Sequence, residues 1–125
     1  MNRRKRDHSI LRHIAEYCRD IREALEQREN AKDVFMNDKM YRNALALCVL
    51  QIGELVGHLS DEFRAEHTEI PWRQVKQMRN IVAHNYGKLD YVTTWDILAD
   101  DIPRLAAFCA RTLDAEAANA DAPQD

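Results

Sequence analysis

Within the eight residues from Arg79 to Tyr86 the chain gathers a guanidinium, two carboxamides, an imidazole and a phenol. On a helix, Arg79 and Tyr86 fall on nearly one line and Asn80 and His84 on an adjacent one, whereas Arg79 and His84 stand about 140° apart. One helix does not easily aim both of the latter at a single atom. Two copies related by a two-fold axis can, with two Arg and two His around a shared groove. Such a set suits cleavage of an RNA phosphodiester. One imidazole takes the 2′-hydroxyl proton and another protonates the departing 5′-oxygen. Arg79 binds the phosphate and stabilises the extra charge of the pentacoordinate transition state. This chemistry leaves DNA intact. No Asp/Glu cluster accompanies these residues, so neither a metal site nor a cofactor is expected. By residue type alone, a histidine capping helix-end carbonyls and a tyrosine at the core edge are ordinary alternatives.

The charge distribution favours an anionic ligand at this segment. From Pro71 to Lys88 there are four cations (Arg73, Lys76, Arg79 and Lys88) and no acid, while the net charge of the 125 residues is −3, which leaves the rest of the chain at −7. Arg73, Lys76 and Lys88 are therefore candidate phosphate or RNA contacts, in a patch sized for one or a few phosphates. No apolar run approaches the ~18 residues of a membrane span, and the basic start Asn2-Arg3-Arg4-Lys5-Arg6 leads into no signal-like apolar stretch. Cys18, Cys48 and Cys109 are odd in number and outside any Cys-x-x-Cys array, which reads as free thiols in a reducing, cytoplasmic setting with no membrane partner.

The elements that must position these groups are helices. Three Gly and three Pro leave little material for β-turns. A first helix is expected from about Asp7 or Ser9 to Arg28, with Ile10, Ile14, Tyr17, Ile21 and Leu25 inward and a basic segment, 1–7, before it. After a short turn carrying Val34, Phe35 and Met36, a second helix spans Asp38 to Leu59, with Tyr41, Leu45, Cys48, Ile52, Leu55 and Leu59 as its first apolar stripe. It is apolar on more than one side, so it packs against either another helix of the bundle or a partner subunit. Gly53 and Gly57 allow a close approach. Gln51, Glu54 and His58 form a polar stripe that faces either water or a functional cleft. A third helix starts at Pro71 and ends near Tyr86, where Gly87 is available as a stop. Asp90 is an N-cap for a fourth helix with Val92, Trp95 and Leu98 inward, and Pro103 breaks or kinks it before a last segment carrying Leu105, Phe108, Cys109 and Leu113. The expectation is an all-α bundle of four to five helices over 8–114, with a disordered acidic tail at 115–125.

The segment Arg79-Asn80-Ile81-Val82-Ala83-His84-Asn85-Tyr86 matches Arg-x4-His-x-Tyr, the signature of the HEPN superfamily in its HepT-like branch. Ile52-Gly53-Glu54, Ile70-Pro71-Trp72-Arg73, Met78-Arg79-Asn80, Trp95-Asp96 and Asp101-Ile102-Pro103 resemble that branch in the same order, over about residues 8 to 113. The resemblance implies a HEPN-like homodimer acting as a metal-independent endoribonuclease toxin, with Arg79 and His84 as its catalytic pair. It also implies a partner, an MntA-like minimal nucleotidyltransferase antitoxin that transfers AMP to Tyr86. Bulk and charge there would block the groove that RNA must enter. Asn80 and Glu54 are carried over as supporting residues. The alternative is a non-catalytic helical partner, or substrate-presenting subunit, of such a nucleotidyltransferase. A dimeric scaffold whose Arg79 and His84 only brace the seam is the third reading.

Overall fold

Apolar residues at three- and four-residue steps bury one face of each long helix, and the burial decides how the helices meet. The computed structural model describes residues 2–84 and 91–121, without the side chains of Val82, His84, Ala120 and Asp121. Its elements are α1 (Arg3–Gln27), α2 (Lys32–Asn37), α3 (Lys39–His58), α4 (Asp61–Glu66), α5 (Trp72–His84), α6 (Tyr91–Asp96) and α7 (Ile102–Asp121), with a π-helical turn, Ile97–Asp101, joining the last two. There is no strand among the described residues. α3 is the central element: it packs on α5 and on α1, and α1 packs in turn on α7. No described helix is long and apolar enough to cross a membrane.

The core differs in detail from the expected stripes. In α1 the buried line is Leu11, Ile14, Cys18, Ile21 and Leu25, with Ile10 and Tyr17 half-buried at its edge. In α3 it is Tyr41, Leu45, Val49, Ile52 and Val56, with Cys48 and Leu55 half-buried. Val75 and Met78 of α5 and Leu105, Phe108 and Cys109 of α7 point inward. Val92, expected inward, is 49% exposed; Thr94, two residues on, is buried in its place. The apolar side of α6 is thus carried by Trp95, whose ring packs 5.4 Å from that of Phe35.

Pro103 does not break the chain's helical course. The π-turn before it shifts the bonding register, with the Ile102 N–H donating to the Ile97 carbonyl, and the wider turn accommodates a residue that lacks an N–H. The basic N-terminal residues are not a separate segment: α1 already begins at Arg3, because the Asn2 side chain accepts from the Lys5 N–H at 2.9 Å and caps it. At the other end α7 continues to Asp121, beyond Ala115, where a disordered tail is expected. Four alanines between Ala115 and Ala120 favour the helix intrinsically, even with no apolar stripe to hold it. The expected caps at Gly87 and Asp90 lie outside the described residues.

Two devices fix the ends of the helices that frame α5. Asp7, 1% exposed, accepts from the Ser60 N–H at 2.9 Å and from its hydroxyl at 2.6 Å, while the Ser60 Oγ accepts from the Phe63 N–H at 3.1 Å and so caps α4. This ties the first turns of α1 to the corner after α3. The start of α5 is held by Trp72, whose Nε1 donates to the His67 carbonyl at 2.8 Å and whose ring sits 5.5 Å from Phe108.

Candidate active site

Arg79 stands where α5 crosses α3 most closely. A Cβ placed on Gly53 would overlap the Cβ of Arg79 and come within 3.3 Å of its Cα. Only a residue without a side chain lets the two backbones approach this far. The approach brings Arg79 beside Glu54, which follows Gly53 on α3: Arg79 Nε donates to Glu54 Oε1 at 2.6 Å. A second contact runs from Arg79 Nη1 to Asn80 Oδ1 at 3.3 Å. Two donors are thereby oriented, and Nη2 has no protein partner among the described residues. The pair is partly solvated, with Arg79 39% and Glu54 51% exposed. Its contribution is orientation of the fork more than stability.

Around this pair lies an open cleft of about 290 Å³ lined by Gly53, Glu54, Gly57 and His58 of α3 and by Lys76, Arg79 and Asn80 of α5. Of the two readings of the polar stripe on α3, Glu54 and His58 therefore take the cleft, while remaining exposed to water. Lys76 lies one turn before Arg79 and adds a second cation. Arg73 is exposed a further turn towards the helix start and does not line the cleft. The backbone of His84 closes α5, but its side chain, like Tyr86 and Lys88 entirely, lies outside the described residues. The structure thus brings together Glu54, Lys76, Arg79 and Asn80. His58, one turn beyond Glu54 in the polar stripe of α3, lines the same cleft. Gly57 differs from Gly53: a Cβ there would meet nothing within 4 Å.

The exposed face of α3 continues from this cleft. Met40, Leu47 and Glu54 are seven apart and share one line, with Ala44, Gln51 and His58 beside it. Met40 is 75% and Leu47 56% exposed, unusual for large apolar side chains aligned on one helix face.

The all-α fold thus places an acid-held arginine on a helix that ends in histidine, and comparisons with known proteins identify the family. The profile described as ribonuclease HepT-like matches residues 14–112, and the chain belongs to the HepT-like ribonuclease family. A protein of Thermococcus cleftensis named a probable ribonuclease HepT is 34% identical over 95 residues, covering 72% of this chain and 86% of its own. Two proteins of Methanocaldococcus jannaschii provisionally named RNases are also similar. One is 33% identical over 81 residues (62% of this chain, 74% of its own) and the other 31% over 102 residues (81% and 83%). No solved structure matches.

Proposed function

We propose that this chain is a metal-independent endoribonuclease, the toxin of a toxin–antitoxin pair, whose site is completed at the seam of a homodimer. The observation that carries the reading is the Arg79 fork held by Glu54 in a cleft continuous with the exposed apolar line Met40–Leu47 of α3. A second copy laid along that line buries the two large apolar side chains and sets two clefts side by side. Each α5 then delivers its terminal His84 towards the shared groove. One imidazole removes the 2′-hydroxyl proton, the 2′-oxygen attacks phosphorus, and the P–O5′ bond breaks as the other imidazole protonates the leaving oxygen. Arg79 holds the non-bridging oxygens through the reaction, with Asn80 beside it and Lys76 supporting. The products are a 2′,3′-cyclic phosphate and a 5′-hydroxyl end.

The antitoxin in this reading is a minimal nucleotidyltransferase. It transfers AMP from ATP to the Tyr86 oxygen with release of pyrophosphate. Tyr86 lies two residues beyond the catalytic imidazole, so the adduct adds bulk and negative charge where the RNA phosphate must sit. Purified protein incubated with RNA in EDTA should generate cyclic-phosphate ends, and Arg79→Ala and His84→Ala should each lower the rate by about 10²–10³-fold, the range for loss of a charge-stabilising or proton-transfer group. Cleavage that survives both substitutions would remove these residues from the mechanism. Stable binding of a nucleotidyltransferase without any cleavage would leave the non-catalytic partner reading in its place.

A further inference from the structure

The first turns of α1 carry a second concentration of positive charge, away from α5. Between Arg3 and Arg12 there are five cations and one acid, Asp7. That acid is buried and engaged with Ser60 and Arg3. Arg3 is also consumed, lying 3.5 Å from Asp7 and 3.7 Å from Glu66. Arg4, Lys5 and Arg12 have no ion pair among the described residues, and Arg4 and Lys5 are exposed. These three cations and His8 line one side of a groove of about 540 Å³ whose other side is the late part of α7, at Leu113 and Glu116. Among the described residues Glu116 is the one carboxylate lining the groove, and His8 Nε2 lies 3.3 Å from it.

The arrangement runs against helix stability. The first turn of α1 contains no acidic residue, and cations sit where the aligned peptide dipoles already present positive charge. An anion laid across that turn relieves both the mutual repulsion of the side chains and the helix-end charge. The position is also apt. Asp7 pins this turn to Ser60, two residues beyond His58 in the lining of the α5 cleft, so the groove and the cleft occupy the same end of the molecule.

We infer that the groove between the start of α1 and the end of α7 binds the phosphate backbone of the RNA substrate at nucleotides remote from the scissile bond, through Arg4, Lys5 and Arg12. The inference rests on the ribonuclease reading for the identity of the strand, but its binding test does not need cleavage. The full-length protein and the triple variant Arg4→Ala/Lys5→Ala/Arg12→Ala are titrated with a fluorescent single-stranded RNA of about twenty nucleotides across a range of salt concentrations. Loss of three phosphate contacts makes the slope of log K against log salt shallower by about 2, at about 0.7 per contact, and weakens binding at least about tenfold near 0.1 M salt. The alanines at 4 and 5 replace cations at a positive helix end, and Arg12→Ala puts a strong helix former on an exposed position of α1, so the variant is expected to keep or raise its Tm. In turnover, the variant raises KM for the long RNA and leaves kcat in place, because the contact is equal in ground and transition states. A dinucleotide, too short to reach the groove, is cut equally by both proteins.

An unchanged salt slope with folded variant overturns the inference. So does an unchanged RNA slope accompanied by lost binding of polyglutamate, which would make the groove a dock for an acidic protein surface. If the wild type binds RNA with a groove-dependent slope yet cuts neither substrate, the ribonuclease reading fails and the groove stands. If the long RNA is cut with equal KM by both proteins, the groove fails and the ribonuclease reading stands.

Discussion

Arg79 acts in this account through what holds it. Its Nε is taken by Glu54, so the guanidinium presents its remaining donors in a fixed plane, and that pre-orientation is worth more to a developing oxyanion than a freely rotating cation. Glu54→Gln keeps an acceptor but loses the charge. It should lower the cleavage rate about tenfold, well short of the Arg79→Ala loss, as single-turnover rates will show. The cysteines provide a check on the core. Burial pushes the Cys18 and Cys109 thiols up to about 12, with Cys109 adding to the effect at Cys18, while Cys48 is half-buried and raised less. Iodoacetamide at neutral pH should label Cys48 first in the native protein, and Cys18 and Cys109 only after unfolding, as mass spectrometry will read. The unfolded chain ionises its thiols above the ordinary value of about 9 while the folded one keeps these two neutral. Their contribution to stability is therefore complete below that pH and is lost as pH rises from 9 towards 12.

At the scale of the elements, the two glycines of α3 predict opposite outcomes. Gly53→Ala forces a methyl into Arg79 and must separate α3 from α5, costing about 1–3 kcal/mol and displacing the fork. Gly57→Ala meets open space within the chain and should gain up to about 1 kcal/mol of helix propensity. Paired denaturant melts measure both. Asp7→Ala should cost about 3 kcal/mol, since it leaves the Ser60 N–H and the Arg3 guanidinium without their buried acceptor. Asp38, capping α3, is held below the usual carboxylate range by the Tyr41 N–H and then by Arg28. Its support is present above that range and disappears as pH falls through the lowered value, so the stability gap between wild type and Asp38→Asn should close in acid.

The elements were largely legible in the sequence because three- and four-residue apolar steps map directly onto buried helix faces. The start of α3 near Asp38 follows from local pattern, and the family motif names Glu54 as a supporting residue without saying that it would hold Arg79. The bond from Asp7 to Ser60 was not legible, since it joins residues 53 apart whose types are common at surfaces. The π-turn before Pro103 was equally hidden: proline announces a missing donor but not how the preceding turn absorbs it. Nor does spacing say which of two glycines meets a neighbouring helix. That depends on where α5 crosses.

For the whole molecule, an acidic body carries two separate basic regions at one end, and its central helix leaves an apolar line uncovered. Burying Met40 and Leu47 against a second copy removes that line from water and supplies the second α5 that a two-histidine mechanism requires. Leu47→Asp places a charge at the centre of the proposed seam without touching Glu54 or Arg79, so it should yield folded monomers by light scattering. The RNA cleavage rate of that monomer, in EDTA and at equal subunit concentration, is the most direct measurement. The rate should fall at least about 100-fold with loss of the second imidazole; a monomer that cuts RNA as fast as the wild type overturns the two-subunit site.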